Sequence, residues 1–522
     1  MLFNSFSFLV FLPIVVIGFH LSMKGGRDAA KLYLIVASVV FYGWWEPVYV
    51  VLLASSVMAN FMIGLAIHRT KMEKRPTGLL LALGVAFNFG LLGYFKYADF
   101  FLRTANDVFD TGFPALSIVL PLAISFFTFQ QISFLADSTK DNVTSYRLLD
   151  YTLFVTFFPQ LIAGPIVHHK QMIPQFLRVG KDSKHALNMA VGLTIFAIGL
   201  FKKTVLADNL APLSDSLFEW AELGYEPSLI EAWLGTLAFT LEIYFDFSGY
   251  SDMALGLGRM FGIRLPLNFF SPYKATSIID FWRRWHITLS TFFRDYLYIP
   301  LGGSRQGLSR RYISLVITML LGGLWHGAAW TFVFWGGLHG FYLFVNHGWR
   351  TLAKRHGSIS SFMATPLARV CSILLTFGCV VIAWVFFRAT NFESAISVIR
   401  GMLGLNVLVF PEVFAQRIPG LSGVLASLGF VPGDFPVVDG TGPVVWLITG
   451  LFCVWALPNT VDFTARFRPA LDPTGVISSP GRSFVPIPEW RITSFWAFTL
   501  AAVAVLAVGS MNRIQAFIYF QF

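Results

Sequence analysis

Two histidines pose the chemical question. His286 closes the run Asp280-Phe281-Trp282-Arg283-Arg284-Trp285-His286, and His326 stands in Gly322-Gly323-Leu324-Trp325-His326-Gly327. Each adjoins a tryptophan, the first in a basic setting and the second inside an apolar run. Imidazole has the unperturbed pKa best suited to proton transfer near neutrality. An ionisable group at bilayer depth is costly, which marks it as a functional site by default. Three carboxylates, Glu242, Asp246 and Asp252, interrupt another apolar run. Glu242 and Asp246 are four apart and share a face if the helix is continuous. They cannot face lipid cheaply. Either they line a polar cavity, or they pair with arginines such as Arg259, Arg283 or Arg284 and hold the fold.

The elements that position these groups follow from spacing. Trp282, Trp285 and His286 recur at i, i+3 and i+4, which predicts one helical face, with Arg283 and Arg284 turned elsewhere. Arginine beside tryptophan is also interface chemistry, so this stretch is expected as an amphipathic helix at the cytoplasmic surface. His339 lies nearly opposite His326 on a straight helix and is expected, with His347, to be structural or interfacial. Adjacent histidines point about 100° apart on a helix. His168 and His169 are therefore poor chelators, and with Lys170 they read as a solvated loop. Lys202-Lys203 suits a membrane interface.

Composition sets the class. The 522 residues are 56% hydrophobic, 17% aromatic and 13% charged, with mean hydropathy +0.66. A soluble protein carries roughly 25% charged residues, so this is a polytopic membrane protein. The net charge of +10 belongs to cytoplasmic loops that hold topology, not to nucleic-acid binding. Cys371, Cys379 and Cys453 have neither disulfide-framework nor zinc spacing and read as small core residues; no metal site is expected. Met1 to Met23 lacks a basic start and an A-x-A-like end, so a retained first span with its N-terminus outside is expected.

A crossing helix needs about 20 mostly apolar residues. Early candidates are Ser5–Ser22, Leu32–Trp45, Val48–Ile67, Gly78–Tyr94 and Leu116–Leu135. Lys24, Arg27 and Lys31, then Arg69, Lys71, Lys74 and Arg75, follow the first and third of these. The turn Gly43–Pro47 has no positive charge, and this alternation fits a cytoplasmic, outer, cytoplasmic order. Leu149–Ile162 is short and ends in Ala163-Gly164-Pro165, which reads as re-entrant. Asn188–Leu200, the long Leu229–Gly262, and Tyr312–Trp325 with Trp330–Val345 as two helices or one broken one come next. Pro366–Phe387, Pro443–Leu457 and Ile492–Met511 bring the total to about 11 spans. Arg305, Arg310 and Arg311 mark a cytoplasmic side.

The chain is expected to be a single membrane domain over 1–522, with 280–340 as its catalytic core. Residues 388–442 and 458–491 are expected outside the membrane. The first contains amphipathic Asn391–Leu403 and the Gly- and Pro-rich Asn406–Thr441, a surface where a partner could dock. No internal repeat of the transporter kind is evident. There is no G-x-x-x-x-G-K-[ST], no H-E-x-x-H and no G-x-S-x-G, so nucleotide, zinc-protease and hydrolase-elbow chemistry are not indicated.

Several longer runs carry a resemblance. They are Leu92-Gly93-Tyr94-Phe95-Lys96-Tyr97, Phe158–Pro165, Tyr244–Ala254, Phe281–His286 through Arg294–Ile299, Gly322–Gly327 and Trp384-Val385-Phe386-Phe387-Arg388. In this order they make the chain similar to the membrane-bound O-acyltransferase superfamily, and within it to the alginate O-acetylation type. The loops at Asn406–Thr441 and Pro458–Arg491 follow no family pattern. The resemblance implies an all-α bundle around a funnel or tunnel in the bacterial inner membrane. It places the family's W-H-G histidine on His326 and its second motif histidine on His286. It implies a cytoplasmic acyl-thioester donor such as acetyl-CoA, and no permanently bound cofactor. An extracytoplasmic partner protein would complete transfer to a polysaccharide.

The chemistry agrees with that expectation. Acyl transfer from a thioester needs a base for the incoming hydroxyl and stabilisation of a tetrahedral oxyanion. His326, neutral in an apolar tunnel, suits the base. His286 would hold the thioester or donate to the oxyanion, with Trp325, Trp285, Trp282, Asp246 and Glu242 as tunnel-lining residues. A covalent acyl-histidine relay through either ring is the competing version. Arg283 and Arg284 would meet donor phosphates or anchor lipid headgroups equally well. A glycan-precursor transporter or a non-catalytic envelope scaffold would explain the spans, but not two tryptophan-flanked histidines in family motifs.

Overall fold

The computed structural model describes residues 1–522 except 141–145, 180–183, 413–418, 439, 473, 477–487, 512–516 and 519–522. The first half contains α1 (Phe6–Ser22), α2 (Arg27–Gly43), α3 (Val48–Met72), α4 (Gly78–Leu92), α5 (Ala98–Phe109), α6 (Ile124–Lys140), α7 (Leu148–Thr156), α8 (Phe158–Leu161), α9 (His169–Phe176), α10 (His185–Phe201) and α11 (Asp208–Glu222). Then come α12 (Leu229–Met260), α13 (Ile278–Arg284), α14 (Ile287–Phe293), α15 (Gly307–His326), α16 (Trp330–Arg355), α17 (Gly357–Met363), α18 (Pro366–Arg388) and α19 (Phe392–Met402). Further helices span Pro419–Ser427, Gly442–Ala456, Thr460–Phe463 and Ser494–Gly509. Among the described residues the architecture is all-α apart from one pair of short strands. The chain is a multi-pass membrane protein. Among the described residues five helical stretches are long and apolar enough to cross by themselves: Phe6–Gly25, Val48–Met72, Gly78–Phe109, His185–Glu222 and Pro366–Arg388.

The helix α12 is the axis. It has 32 residues, about 48 Å at 1.5 Å per residue, and nearly all of its surface beyond Gly235 is buried. A capping box starts it: the Ser228 side chain accepts from the backbone N–H of Glu231, whose carboxylate accepts from the backbone of Ser228. Against it lies α10, and the contact is set by glycine. A Cβ on Gly192 or Gly256 would sit 2.7 or 2.6 Å from the other's carbonyl oxygen. The pair Gly199 and Gly249 would meet at 2.6 and 2.7 Å in the same way. The two pairs are seven residues apart on each helix, so two turns of backbone touch, the close approach small residues allow between membrane helices. Gly249→Leu is therefore expected to sharply reduce the amount of protein found in membranes, read by immunoblot, whereas Gly378→Leu, where a Cβ meets nothing within 4 Å, should leave it unchanged.

Two of the three carboxylates, Asp246 and Asp252, find lysines and not the expected arginines. Lys203 bridges Asp246 and Asp208, each at 2.7 Å, and Lys202 pairs with Asp252 at 2.6 Å. Both lysines project from a π-helical stretch, Lys202–Ala207, into the protein, so they are core counter-ions and not interface anchors. An opposite charge within hydrogen-bond reach is what lets a carboxylate stay at this depth.

Several other expectations are corrected. Leu116–Pro121 is not helical, and α6 begins at Ile124 and is buried nearly throughout, because its polar face is enclosed by α3, α4 and α7. His169 is not in a solvated loop. It is fully buried at the start of α9, with Nε2 3.2 Å from Asp137 and Nδ1 3.1 Å from the Tyr146 hydroxyl. Cys371 is exposed on α18, not a core residue. The stretch expected as a plain Gly- and Pro-rich loop contains a parallel pair, Leu408–Pro411 with Phe430–Gly433. Part of the 458–491 segment lies outside the described residues. Its described start pairs with Leu265 and Leu267 through Leu471. Leu149–Ile162 forms α7 and α8, enclosed by protein, which is where a broken apolar segment can satisfy its backbone.

Candidate functional site

The chain reverses at Gly327–Ala329, so α15 and α16 form an antiparallel hairpin with His326 as the last residue of α15. Glycines again set the contact. A Cβ on Gly323 would collide with the Phe332 carbonyl, and one on Gly336 with that of Met319. The reversal overturns the straight-helix expectation for His339. His339 is fully buried, accepts a hydrogen bond at Nδ1 from Trp282 Nε1 at 3.3 Å, and is linked to His326 through Trp335. That ring stands 5.2 Å from His326 and 4.8 Å from His339.

The last turn of a helix leaves carbonyls without intrahelical partners. Here they are met from the π-helical turn Gly93–Tyr97 that follows α4. Tyr97 donates to the Leu324 carbonyl at 3.0 Å. Lys96 Nζ donates to Trp325 at 2.6 Å and His326 at 3.3 Å, and lies 5.9 Å from the Trp325 ring centroid. A cation at a helix C-terminus also meets the negative end of its dipole. Lys96 thus fixes the backbone that carries His326. Lys96→Met is expected to lower activity about tenfold to a hundredfold, since an uncapped buried carbonyl costs about 1–3 kcal/mol. Lys96→Arg should retain more activity, and comparison at matched protein level checks both.

His286 does not continue the helix of Trp282. The helix α13 ends at Arg284, Trp285 is extended at φ −99°, and His286 is left-handed at φ 41°, ψ 53°. Trp285 and His286 are therefore not on one face with Trp282, and the stretch is two short helices broken at Trp285–His286, not one continuous helix. The break is held from a distance by Asn268, whose backbone carbonyl accepts from Ile287 N at 2.9 Å. The Asn268 side-chain oxygen lies 3.0 Å from His286 Nδ1 and accepts from Thr288 N and Oγ1 at 3.4 and 2.8 Å. A backbone N–H donating to that atom identifies it as oxygen, so Nδ1 carries the hydrogen. Neutral His286 then presents a lone pair at Nε2 and accepts rather than donates, the reverse of the oxyanion role expected from the sequence.

The two rings come together, with centroids 6.4 Å apart. Phe247 of α12 stands 4.8 Å from His286, and Phe387 of α18 stands 5.3 Å from His326. Two cavities converge here. One, about 300 Å³, is walled by Trp45, Lys96, Pro121, Ser125, Ile162 and Trp325, and ends at His326. The other, about 350 Å³, contains Trp282, Ser290, Arg294, Arg311 and Gly322, and also ends at His326. His326 is the one residue their described walls share. The second cavity follows α15 from Arg311 to His326, about 22 Å at 1.5 Å per residue.

Placement of the remaining expected site residues is mixed. Trp282 and Trp325 line the cavities; Trp285 is enclosed between Phe269, Phe281 and Trp384. Glu242 and Asp246 line neither cavity; Asp246 belongs to the lysine cluster of α12, and Glu242 lies near Asp215, Arg388 and Ser214. Arg283 is exposed, and Arg284 pairs with Asp280 at 2.8 Å. The cations at the basic mouth are Arg294 and Arg311, the latter 2.9 Å from His347 Nδ1. Sequence reasoning read Arg311 only as a cytoplasmic marker and did not single out Arg294, Lys96, Asn268 or Trp335 as site residues. Lys96 and Arg294 did lie within the quoted motifs.

The model of the MBOAT, membrane-bound O-acyltransferase family, matches residues 122–387. The chain is 45% identical over 434 residues to the peptidoglycan O-acetyltransferase of Helicobacter pylori, covering 78% of this chain and 80% of that one. It is 37% identical over the full length of both chains to the probable alginate O-acetylase AlgI of Pseudomonas aeruginosa. Similarity to the teichoic acid D-alanyltransferase of Streptococcus thermophilus is 24% over 51% of this chain and 68% of that protein.

Proposed function

Because the chain belongs to the membrane-bound O-acyltransferase family, we propose that this membrane O-acyltransferase carries acetyl groups from acetyl-CoA across the bacterial inner membrane. The acceptor side is an envelope polysaccharide, reached directly or through an extracytoplasmic partner protein. The observation that carries this reading is the convergence of two cavities on His326. Arg294 and Arg311 place positive charge at one mouth, on the side of Arg305 and Arg310, which the positive-inside rule makes cytoplasmic. A thioester at the tip of a flexible pantetheine arm can follow the groove of α15 to His326. The mouth with Trp45 and Pro121 is then extracytoplasmic, as is the N-terminus.

In this mechanism His326 takes the proton of the acceptor hydroxyl as its oxygen attacks the thioester carbonyl; the tetrahedral adduct collapses and the thiolate of the donor leaves. His286, held by Asn268, orients the reacting groups by accepting a hydrogen bond. The walls of Phe, Trp and Leu exclude water that would otherwise hydrolyse the donor. Peptidoglycan and alginate are what the relatives' names offer as acceptors. The proposal is tested with inside-out membrane vesicles given acetyl-labelled acetyl-CoA on the outside. Ester-bound label should collect in the lumen of vesicles carrying the protein, with free coenzyme A outside. Label entering without thioester cleavage would make the protein a transporter instead.

A further inference from the structure

A third cavity, about 650 Å³, shares no described wall residue with the two that meet at His326. Six cations line it: Arg178, Lys184, Arg259, Arg264, Arg466 and Arg468. None of its described wall residues is a carboxylate. These cations come from four separate parts of the chain, the end of α9, the start of α10, the end of α12 with the turn after it, and the 466–468 turn. Four of them, Arg178, Arg264, Arg466 and Arg468, bring like charges together, and an anion among them would lower their mutual repulsion. The site is also built. Gln175 donates to the Arg264 carbonyl at 3.0 Å and accepts from its N–H at 2.9 Å, which ties the Arg264 turn to α9. The first turn of α10, a 17-residue helix, adds the positive end of its dipole.

The depth identifies the kind of anion. Phe19 and Met23 of the first span and Phe261 at the end of α12 form an apolar wall beside the cations. α1 ends here and α10 begins here, and both are parts of membrane-crossing stretches. The cavity therefore lies where helices leave the bilayer, the level of lipid headgroups. Arg27 donates to the Leu177 carbonyl at 3.2 Å, which places the cavity on the same face as the basic loop after α1. A basic pocket between spans with an apolar flank is the chemistry that holds a phospholipid phosphate while its chains stay in the membrane. We propose that this cavity binds the phosphate of an anionic membrane lipid, separately from the acyl-transfer path.

Native mass spectrometry of the full chain in detergent tests this, by titrating phosphatidylglycerol, cardiolipin and, as zwitterionic reference, phosphatidylethanolamine. The anionic lipids should be retained in preference, less so as salt rises. The triple variant Arg178→Gln, Arg466→Gln, Arg468→Gln, at exposed positions, should weaken that retention by about tenfold or more, since each cation near a lipid surface contributes on the order of a factor of five. Lys354→Gln with Arg355→Gln, at the end of α16, should not. Equal retention of anionic and zwitterionic lipid overturns the proposal on the wild-type protein alone, without reliance on any variant. Equal losses in both variants overturn it as well. If pyrophosphate, added without lipid, binds with the same variant dependence and lipid does not, the site holds soluble phosphate and the lipid assignment falls.

Discussion

Replacing His326 with alanine is expected to lower acyl transfer about a hundredfold to ten-thousandfold, the usual contribution of a positioned general base, while the protein still inserts. The frame around the ring is held through the backbone. The α15 terminus is capped by Lys96 and Tyr97 through backbone carbonyls, and the hairpin with α16 is set by Gly323 and Gly336. What alanine removes is the one side chain that the described walls of both cavities share. His326→Gln is the sharper companion, since it keeps much of the volume and a polar end but cannot take a proton. Activity near wild type in the glutamine variant would reduce His326 to a packing residue. Equal loss in both assigns the deficit to proton transfer or to acyl capture by the ring. Trapping an acetylated histidine after rapid quench would favour the relay.

Removing the charge of Lys203 should be as damaging, but to the fold. Its ammonium stands between Asp246 and Asp208, with side chains about 5% exposed or less. Lys203→Met leaves two buried carboxylates facing each other without their cation. Breaking such a pair costs about 3–5 kcal/mol, a large share of the marginal stability of a domain. Little of this variant should reach the membrane. Adding Asp246→Asn and Asp208→Asn to Lys203→Met should restore part of the level, because neutral amides can share hydrogen bonds where carboxylates repel. Immunoblots of membranes and thermal unfolding in detergent check both. Were Asp246 on the acyl path instead, Asp246→Asn alone would insert normally and lose activity; the lysine cluster predicts lower level with specific activity retained.

The histidine motifs were legible because the chemistry concentrates in them. Lys96 and Tyr97, Ile162 and Ala163, Phe247, His286, His326 and Phe387 each come from a different quoted motif, and all lie around the two rings or their cavities. The membrane class and three of the early spans, those of α1, α3 and α4, followed from hydropathy, whereas the all-helical bundle came with the family resemblance. What spacing could not show was where the backbone breaks. The i, i+3, i+4 pattern of Trp282, Trp285 and His286 presumes one helix. The turn to the left-handed region at His286 depends on Asn268, eighteen residues earlier. His339 was placed opposite His326 by the same presumption, before the hairpin at Gly327. Partner choice among charges was equally hidden. Asp246 chose Lys203 over any arginine because α10 packs on α12 through Gly199 and Gly249, a contact between segments some fifty residues apart. His169, drawn in by Asp137 and Tyr146, is another case of long-range pairing overruling local polarity.

The central claim, that acyl groups reach the envelope polysaccharide through His326, is most directly tested in cells. Ester-linked acetate on that polysaccharide would be measured in wild type, in a deletion strain, and in the deletion strain carrying wild-type or His326→Ala protein, with membrane levels matched by immunoblot. The account predicts acetate lost on deletion, restored by the wild-type gene, and absent with His326→Ala at a normal level of inserted protein. Full acetylation supported by His326→Ala would contradict it.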